Sequence, residues 1–322
     1  MNDCIMNKAF VNALEGKITK KTILADFVAV TLCMEKETAY RRLRGEVQFT
    51  LRETAILAAK LNISLDEIIA RNGQESQKRL LMRLPEYYLT ASKKMPIVTD
   101  AIHYLERLGK EPYSEFGMAL SGIPFTLFFP YSLLTRFMLL KYTHHAENSP
   151  SSLPYNKIVE ADDLIDYRGD LGLLLKEVTD TYYIWDRKII RALVDDIKYA
   201  KSIRLMGNEE IRDLKKELHR FLNDLENLAS KGRYDETGNK FELYISDANI
   251  DITYAYICSP NMQASMLSSF IFFMMISEDN ISFSRINNWI KSLKRYSTLI
   301  SGIGERERIL FFDQQREVVD TL

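Results

Sequence analysis

The densest cluster of side chains able to bind an anionic partner is the segment KETAYRRLRG, residues 36–45. Around its tyrosine stand four cations, in a chain of 322 residues whose formal net charge is −1: Lys36, Arg41, Arg42 and Arg44. Lysine and arginine contact phosphate, and arginine can also donate two hydrogen bonds to the edge of guanine. The segment therefore indicates a nucleic-acid partner. A solvated helix surface is the alternative interpretation of the same charges.

Charge is unevenly distributed along the chain. Residues 1–96 contain 16 Lys+Arg and 11 Asp+Glu, whereas the remaining residues contain 27 and 33. This distribution favours a phosphate-binding amino-terminal part and a body that repels phosphate. An imbalance of this size also arises by chance. The hydrophobic fraction of 46% and charged fraction of 27% are those of a globular protein that can bury a core.

The elements that would position the cations are short helices. Between residues 8 and 72 apolar residues recur at helical spacing with brief breaks, as in Leu24, Phe27, Val28 and Leu32. Thr50 with Glu53 three residues later is a capping-box pattern, which indicates the start of another helix. We predict five helices packed as one domain over residues 1–73.

Residues 24–51 resemble the helix-turn-helix of the XRE family, the repressors of the lambda-Cro type. The positions that carry the resemblance are Val28-Ala29, Leu32, Thr38-Ala39, Arg41, Gly45 and Thr50-Leu51. Ala29 and Ala39 supply the small residues that this pattern requires where its two helices cross closely. Three positions depart from the pattern: Cys33 replaces the glycine of the turn, Leu43 an acidic residue and Phe49 a proline.

The resemblance implies a bacterial transcription regulator that binds double-stranded DNA, with a recognition helix from about Lys36 to Arg44 in the major groove. Four residues would contact bases: Lys36, Glu37, Tyr40 and Arg41. Five would contact phosphates: Lys20, Lys21, Thr38, Arg42 and Arg44. Two alternatives stay open, because Tyr40 could cover the domain core and Thr38 could serve packing.

The rest of the chain predicts a linker helix over residues 74–96 and a C-terminal region over 97–322. Helical patterns dominate as far as residue 232, and the clearest covers 208–232. Alternating apolar residues around a DAN turn predict a β-hairpin near 240–258. The segment SSFIFFMMIS fits a strand or a core helix. The predicted fold is mainly α: a five-helix lambda-repressor-like domain followed by a larger, mostly helical α+β domain.

The C-terminal region has no recognised role of its own. A single small DNA-binding domain contacts only about 600–1,000 Å², so we expect a homodimer in which this region oligomerises or senses an unknown small-molecule or peptide effector. Helix 208–232 could pair with a second copy or lie in the core. Five aromatic residues could line an effector pocket or belong to the core: Tyr182, Tyr183, Trp185, Tyr254 and Tyr256.

Other function classes find little support in the sequence. It contains no Walker loop, G-x-G-x-x-G, G-x-S-x-G or HExxH motif, so we expect no enzyme, no cofactor and no metal. Its two long apolar stretches are interrupted or short, which argues against a membrane partner. Three scattered cysteines and no secretion signal predict a cytoplasmic protein.

Two alternatives to a transcription regulator remain. One is a protein-interaction or phage-defence component whose helix-turn-helix-like domain binds a protein. The other is an enzyme with an unrecognised site in residues 97–322.

Overall fold

The structure, a computed structural model, describes residues 3–61, 63–65, 68–69, 82, 96–145, 154–158, 171–270 and 273–322. The chain divides into two compact units, Met1–Leu81 and Met82–Leu322. This boundary falls inside the predicted linker helix, 74–96, which apart from residues 82 and 96 lies outside the described residues. Among the described helices, none combines the length and the apolar character needed to cross a bilayer.

The first unit is helical. Its described helices are α1 (Asp3–Lys17), α2 (Lys21–Leu32), α3 (Lys36–Leu43) and α4 (Leu51–Leu61). Residues 65, 68 and 69 are also helical, and the rest of the predicted fifth helix lies outside the described residues. The core of the unit includes the fully buried side chains of Leu14, Val28 and Leu57. The apolar residues at helical spacing thus form the core, as predicted.

Four contacts fix the entry into α4. The predicted capping box is confirmed, since Thr50 N–H donates to Glu53 Oε2 at 2.8 Å and Glu53 N–H to Thr50 Oγ1 at 3.3 Å. Phe49 is buried and packs edge-to-face on Phe10, with ring centroids 5.6 Å apart. Asn7 Oδ1 accepts the backbone N–H of Phe49 at 3.0 Å, a bond that a proline at this position could not donate.

The second unit combines helices with a sheet. Its helices include α5 (Pro96–Gly109), α6 (Phe125–Phe128), α7 (Ser132–His145), α8 (Ile189–Ser202), α9 (Asn208–Lys231), α10 (Asn280–Arg295) and α11 (Glu305–Asp320). Its strands are β1 (Glu115–Leu120), β2 (Asp180–Asp186), β3 (Lys240–Ser246), β4 (Thr253–Cys258), β5 (Gln263–Phe270), β6 (Phe273–Ser277) and β7 (Thr298–Leu299). The part of the chain that the structure describes is mostly helical, with one seven-stranded mixed sheet.

The strand order in the sheet is β6-β5-β4-β1-β2-β3-β7. Strands β1, β2 and β3 are parallel neighbours at its centre. Strands β4, β5 and β6 add antiparallel on the β1 side, and the short β7 adds antiparallel to β3. The connections between the parallel strands contain helices, as parallel pairing requires.

The predicted β-hairpin near 240–258 is wrong, although both of its strands exist. Strand β3 pairs with β2 and β7, whereas β4 pairs with β1 and β5. Strands β1 and β2 therefore lie between the two predicted partners. Alternation along a sequence shows which side chains share a face of a sheet, but it does not show which strands are neighbours.

Strands β1 and β2 lie in a region for which helices were predicted. Residues 181–185 of β2 are all buried, and so are residues 116–120 of β1. Helices cover both faces of these central strands, so their sequences are continuous apolar runs without alternation. The described residues of the ambiguous segment SSFIFFMMIS are strand, divided between β5 and β6.

The two faces of the sheet carry separate cores. Tyr183 and Trp185 belong to the larger core, together with buried residues of α5, α7, α8, α9 and α11. Tyr182 and Tyr256 belong to the smaller core, which contains Phe283, Ile286 and Ile290 of α10. Helix α9 ends where predicted, with Gly232 in the left-handed conformation at φ 64°. Its apolar stripe is buried inside the unit, which confirms the core interpretation and excludes pairing with a second copy through that stripe.

Candidate nucleic-acid interface and a charged pocket

Helices α2 and α3 are joined by the three residues 33–35. Cys33 adopts the left-handed conformation at φ 51° and ψ 48°. The N–H of Cys33 donates to the carbonyl of Val30 at 3.4 Å and the N–H of Met34 to the carbonyl of Ala29 at 3.0 Å, which caps the end of α2. Glu35 is extended, so the chain turns and starts α3 at Lys36. A connection of three or four residues is what a helix-turn-helix pair requires. Cys33 takes the conformation that favours the glycine of the family pattern.

The packing of α3 depends on its one alanine. Ala39 is completely buried in the core of the first unit, where Val28 is also completely buried. A larger side chain at Ala39 would push the two helices apart, because a close crossing has no room for it. At the other end of α3, Gly45 has φ 78°, and the N–H of Glu46 donates to the carbonyl of Arg41 at 2.9 Å. The small residues that the sequence singled out thus set the position and the end of α3.

The opposite face of α3 is exposed and charged. Glu37, Arg41 and Arg44 are exposed at helical spacing, which places them on one stripe, and Lys36 is exposed beside them. Tyr40 and Thr38 are half-buried. Lys20 and Lys21, just before and at the start of α2, are exposed. The side chains predicted to contact DNA are therefore reachable from solvent to different degrees.

Each exposed cation of α3 has an intramolecular carboxylate partner. Lys36 Nζ lies 2.5 Å from Asp26 Oδ1, and Arg44 contacts Glu46 at 2.6 Å and Glu37 at 3.1 Å. The hydrogen bonds that Arg44 donates to these two glutamates raise its pKa, the bond to Glu46 being the larger cause. Exposed ion pairs add little net stability because water screens them, so phosphate can replace the carboxylates at little cost.

Arg42 differs from its neighbours in both exposure and partners. Only 14% of its side chain is exposed, and its Nε and Nη2 donate to Glu53 Oε1 at 3.2 and 2.7 Å. Burial alone would raise the pKa of Glu53, but the hydrogen bonds from Arg42 and Thr50 outweigh burial and hold it below its ordinary value. This arrangement favours a structural role for Arg42, which links α3 to α4, over the predicted phosphate contact.

The second unit contains a pocket of about 760 Å³ between α10 and the amino ends of β1, β2 and β3. Glu115, Asp180 and Lys240 are the first residues of the three strands and stand in register. Tyr182, Glu242 and Tyr244 form the next part of the lining. Helix α10 contributes four side chains: Asn288, Lys291, Lys294 and Arg295.

A chain of contacts crosses this pocket. Glu242 accepts from Lys294 at 2.7 Å and lies 2.8 Å from Lys240. Burial tends to raise the pKa of the Glu242 carboxyl, but hydrogen bonds from these two lysines lower it below its usual value. The Lys294 ammonium also lies 3.9 Å from the centre of the Tyr182 ring, within the range of a cation–π contact.

Two phenols meet over a glycine on the same face of the sheet. Tyr182 and Tyr256 flank Gly117 in register, and their hydroxyl oxygens are 2.8 Å apart. A Cβ on Gly117 would lie 2.5 Å from Tyr182 Cζ, so only glycine leaves room for both rings. The Tyr256 hydroxyl donates to Glu115. Burial raises the pKa of Tyr256 far above its ordinary value, which keeps this donor protonated.

The sequence predicted part of this second site. Of the five aromatic residues considered for an effector pocket, Tyr182 lines the pocket and Tyr256 lies beside it. Tyr183 and Trp185 are core residues, and Tyr254 contacts Trp289 at 6.2 Å between ring centroids. The charged lining was missed, because its residues come from four distant segments. Two local signals were the basic segment KSLKR at 291–295 and the KFE pattern at 240–242.

Comparison of the chain with protein-family models, with curated proteins and with solved structures finds no match.

Proposed function

We propose that the protein is a cytoplasmic, sequence-specific DNA-binding transcription regulator whose helix α3 enters the major groove. One observation supports this function above others. Helix α3 is held against α2 by a buried alanine and a left-handed turn, so that Glu37, Arg41 and Arg44 share an exposed stripe. Such a stripe on the second helix of a tightly packed pair is the arrangement with which helix-turn-helix proteins contact base edges.

The residues have different roles in this proposal. Arg41 donates two hydrogen bonds to a guanine, and Glu37 accepts from a cytosine. Arg44, Lys20 and Lys21 contact phosphates, which contribute affinity and little selectivity. Lys36 and Tyr40 lie next to the bases, and Thr38 next to the backbone. Arg42 is left out of the interface because Glu53 already occupies its guanidinium.

We propose that the regulator acts as a homodimer. One such domain covers about 600–1,000 Å², which seldom gives specific binding at physiological salt. Two copies related by a two-fold axis would contact half-sites one helical turn apart, about 34 Å. The operator would then be palindromic.

The test is selection of bound duplexes from a random pool, with wild type, Arg41→Ala and Lys60→Ala. We expect a palindromic consensus for wild type and loss of one base preference per half-site for Arg41→Ala, worth about 1–3 kcal/mol. Lys60 is exposed at the far end of α4, so Lys60→Ala removes the same charge and keeps the consensus. No enrichment by wild type would refute the proposal and favour the protein-binding alternative.

A second measurement separates phosphate contacts from base contacts. Arg44→Ala should weaken binding to all sequences and reduce the slope of log affinity against log salt by about one. Glu46→Gln should strengthen binding, since Glu46 accepts from Arg44 and lies 3.5 Å from Arg41 in the free protein. Equal affinities for wild type and both variants would exclude α3 as the interface.

A further inference from the structure

The pocket under α10 has donors that the chain itself does not use. Arg295 is exposed, and it has no ion-pair or hydrogen-bond partner in the part of the chain that the structure describes. Lys291 lies 3.8 Å from Glu115, which is close to the limit for an ion pair. Asn288, Lys291 and Arg295 follow each other at helical spacing on the side of α10 that lines the pocket. This row offers an amide, an ammonium and a guanidinium to a ligand.

The two other cations of the pocket already form ion pairs within the chain. Lys294 and Lys240 both contact Glu242. The lining contains four cations and three carboxylates, and a pair of cations shares one of the carboxylates. The lining therefore has one excess positive charge, and Arg295 is the cation without a carboxylate partner in the described part of the chain, with Lys291 one helical turn away. A guanidinium next to an ammonium matches the several acceptor oxygens of a phosphate group.

The floor of the pocket provides carboxylate oxygens, which accept hydrogen bonds, where α10 provides donors. Asp180 accepts from the Tyr113 hydroxyl at 2.8 Å through Oδ2, which leaves Oδ1 for another donor. Glu115 accepts from Tyr256 through Oε1, and its Oε2 lies 3.5 Å from the Tyr113 hydroxyl. Carboxylate oxygens of this kind accept hydrogen bonds from ligand hydroxyl or amino groups. A ligand that fits both ends carries an anionic group and hydrogen-bond donors.

The size of the pocket limits the ligand class. A volume of about 760 Å³ lies in the range typical of small-molecule sites. We propose that this pocket binds a phosphomonoester of a hydroxyl-bearing metabolite, with the phosphate on Lys291 and Arg295 and the hydroxyl groups on Asp180 and Glu115. A sugar phosphate and a nucleoside monophosphate share this chemistry. The proposal does not depend on DNA binding by the first unit.

The test is isothermal titration calorimetry on the full chain. The ligands are glucose 6-phosphate and adenosine 5′-monophosphate, each beside its unphosphorylated form, glucose or adenosine, and beside inorganic phosphate. We expect at least one ester to bind more tightly than its unphosphorylated form and than inorganic phosphate. The ester that binds distinguishes a sugar phosphate from a nucleotide.

Variants assign the binding to the pocket. Lys291→Gln with Arg295→Gln should weaken ester binding by about tenfold or more, because it removes two charge-assisted contacts. The matched control, Arg191→Gln with Lys201→Gln, removes two exposed cations of α8 on the other face of the sheet and should leave affinity unchanged. Asp180→Asn should weaken ester binding without changing the affinity for inorganic phosphate.

Three results would overturn the proposal. The first is that neither ester binds at millimolar concentration. The second is that the Lys291→Gln and Arg295→Gln double variant binds as well as wild type while keeping its circular dichroism spectrum. The third is that inorganic phosphate binds as tightly as the esters, which would show an adventitious ion only.

Discussion

At the scale of single residues, neighbouring arginines of α3 differ in what they contact. Arg44 is exposed and contacts two exposed glutamates, whereas Arg42 is mostly buried and contacts Glu53. In the sequence the two are equivalent, since both belong to one basic segment. The difference depends on which side of α3 meets α4. The sequence indicates this side only through Ala39, which lies three residues before Arg42 and therefore on the same side of the helix.

We predict that Arg42→Ala destabilises the first unit. The substitution leaves a partly buried carboxylate without its cation, and loss of hydrogen bonds to a charged group costs about 1.5–3 kcal/mol. The free energy of unfolding from urea titrations measures this effect. Arg52→Ala is the control, because Arg52 is exposed on α4 and should change stability by less than about 0.5 kcal/mol. Equal stabilities of the two variants would contradict the structural role of Arg42.

The ion pair between Arg42 and Glu53 should make the stability of the first unit depend on pH. The pKa of Glu53 is lower in the folded protein than its ordinary value of 4.5. A carboxyl with a depressed folded pKa stabilises the fold above its unfolded pKa, and this contribution is lost as the pH falls through the folded pKa. Stability measured from pH 7 downward should therefore fall below about pH 4.5, and less so in Arg42→Ala. Parallel pH profiles of wild type and variant would show that the pair does not contribute.

Gly117 provides another prediction at this scale. In Gly117→Ala the new methyl group would overlap the buried rings of Tyr182 and Tyr256, and overpacking of this kind costs about 1–3 kcal/mol. Gly122→Ala is the matched control, because nothing lies within 4 Å of its Cβ. Urea unfolding of both variants measures the difference. A Gly117→Ala protein as stable as the control would mean that the two phenols do not meet over the strand.

At the scale of elements, the turn between α2 and α3 depends on an unusual residue. Cys33 has a left-handed backbone, which costs a residue with a side chain about 1–2 kcal/mol. We predict that Cys33→Val destabilises the first unit by about 1 kcal/mol or more, since a β-branched residue fits this conformation poorly. The free energy of unfolding of Cys33→Gly should lie within about 1 kcal/mol of the wild-type value, because relief of strain offsets the entropy that glycine loses on folding.

Urea unfolding of the first unit within the full chain measures the stabilities of these Cys33 variants. Cys33→Ser controls for loss of the thiol and should match wild type. If Cys33→Val were as stable as Cys33→Gly, the left-handed turn would be excluded.

The sequence predicts single elements better than their partners. It predicted α4 with its capping box and α9 with its terminal glycine because these signals are local. It missed β1 and β2 because strands buried on both faces lack alternation. It paired β3 with β4 because neighbours in a chain often pair, whereas here two other strands lie between them. The charged pocket was missed for the same reason, since its residues become neighbours only when the strand order is known.

At the scale of the whole molecule, each of the two units has its own hydrophobic core. We predict that Leu57→Ala, which removes a fully buried side chain of the first unit, destabilises that unit by about 2–5 kcal/mol. Hydrogen exchange followed by mass spectrometry should show faster exchange in residues 3–61 and unchanged exchange in the second unit. Leu218→Ala in α9 should show the reverse. Faster exchange in both units for either variant would mean that the units unfold together.

The position of β1 in the sheet determines how late in synthesis of the chain this strand gains both of its neighbours. β1 is the first of the described strands to be made, yet its two neighbours are β2, about 60 residues later, and β4, whose Cys258 stands opposite Glu115. Until the ribosome has passed residue 258, one edge of the central strand has no native partner. A nascent or prematurely terminated chain therefore exposes an apolar strand edge, the kind of surface on which chains associate with one another.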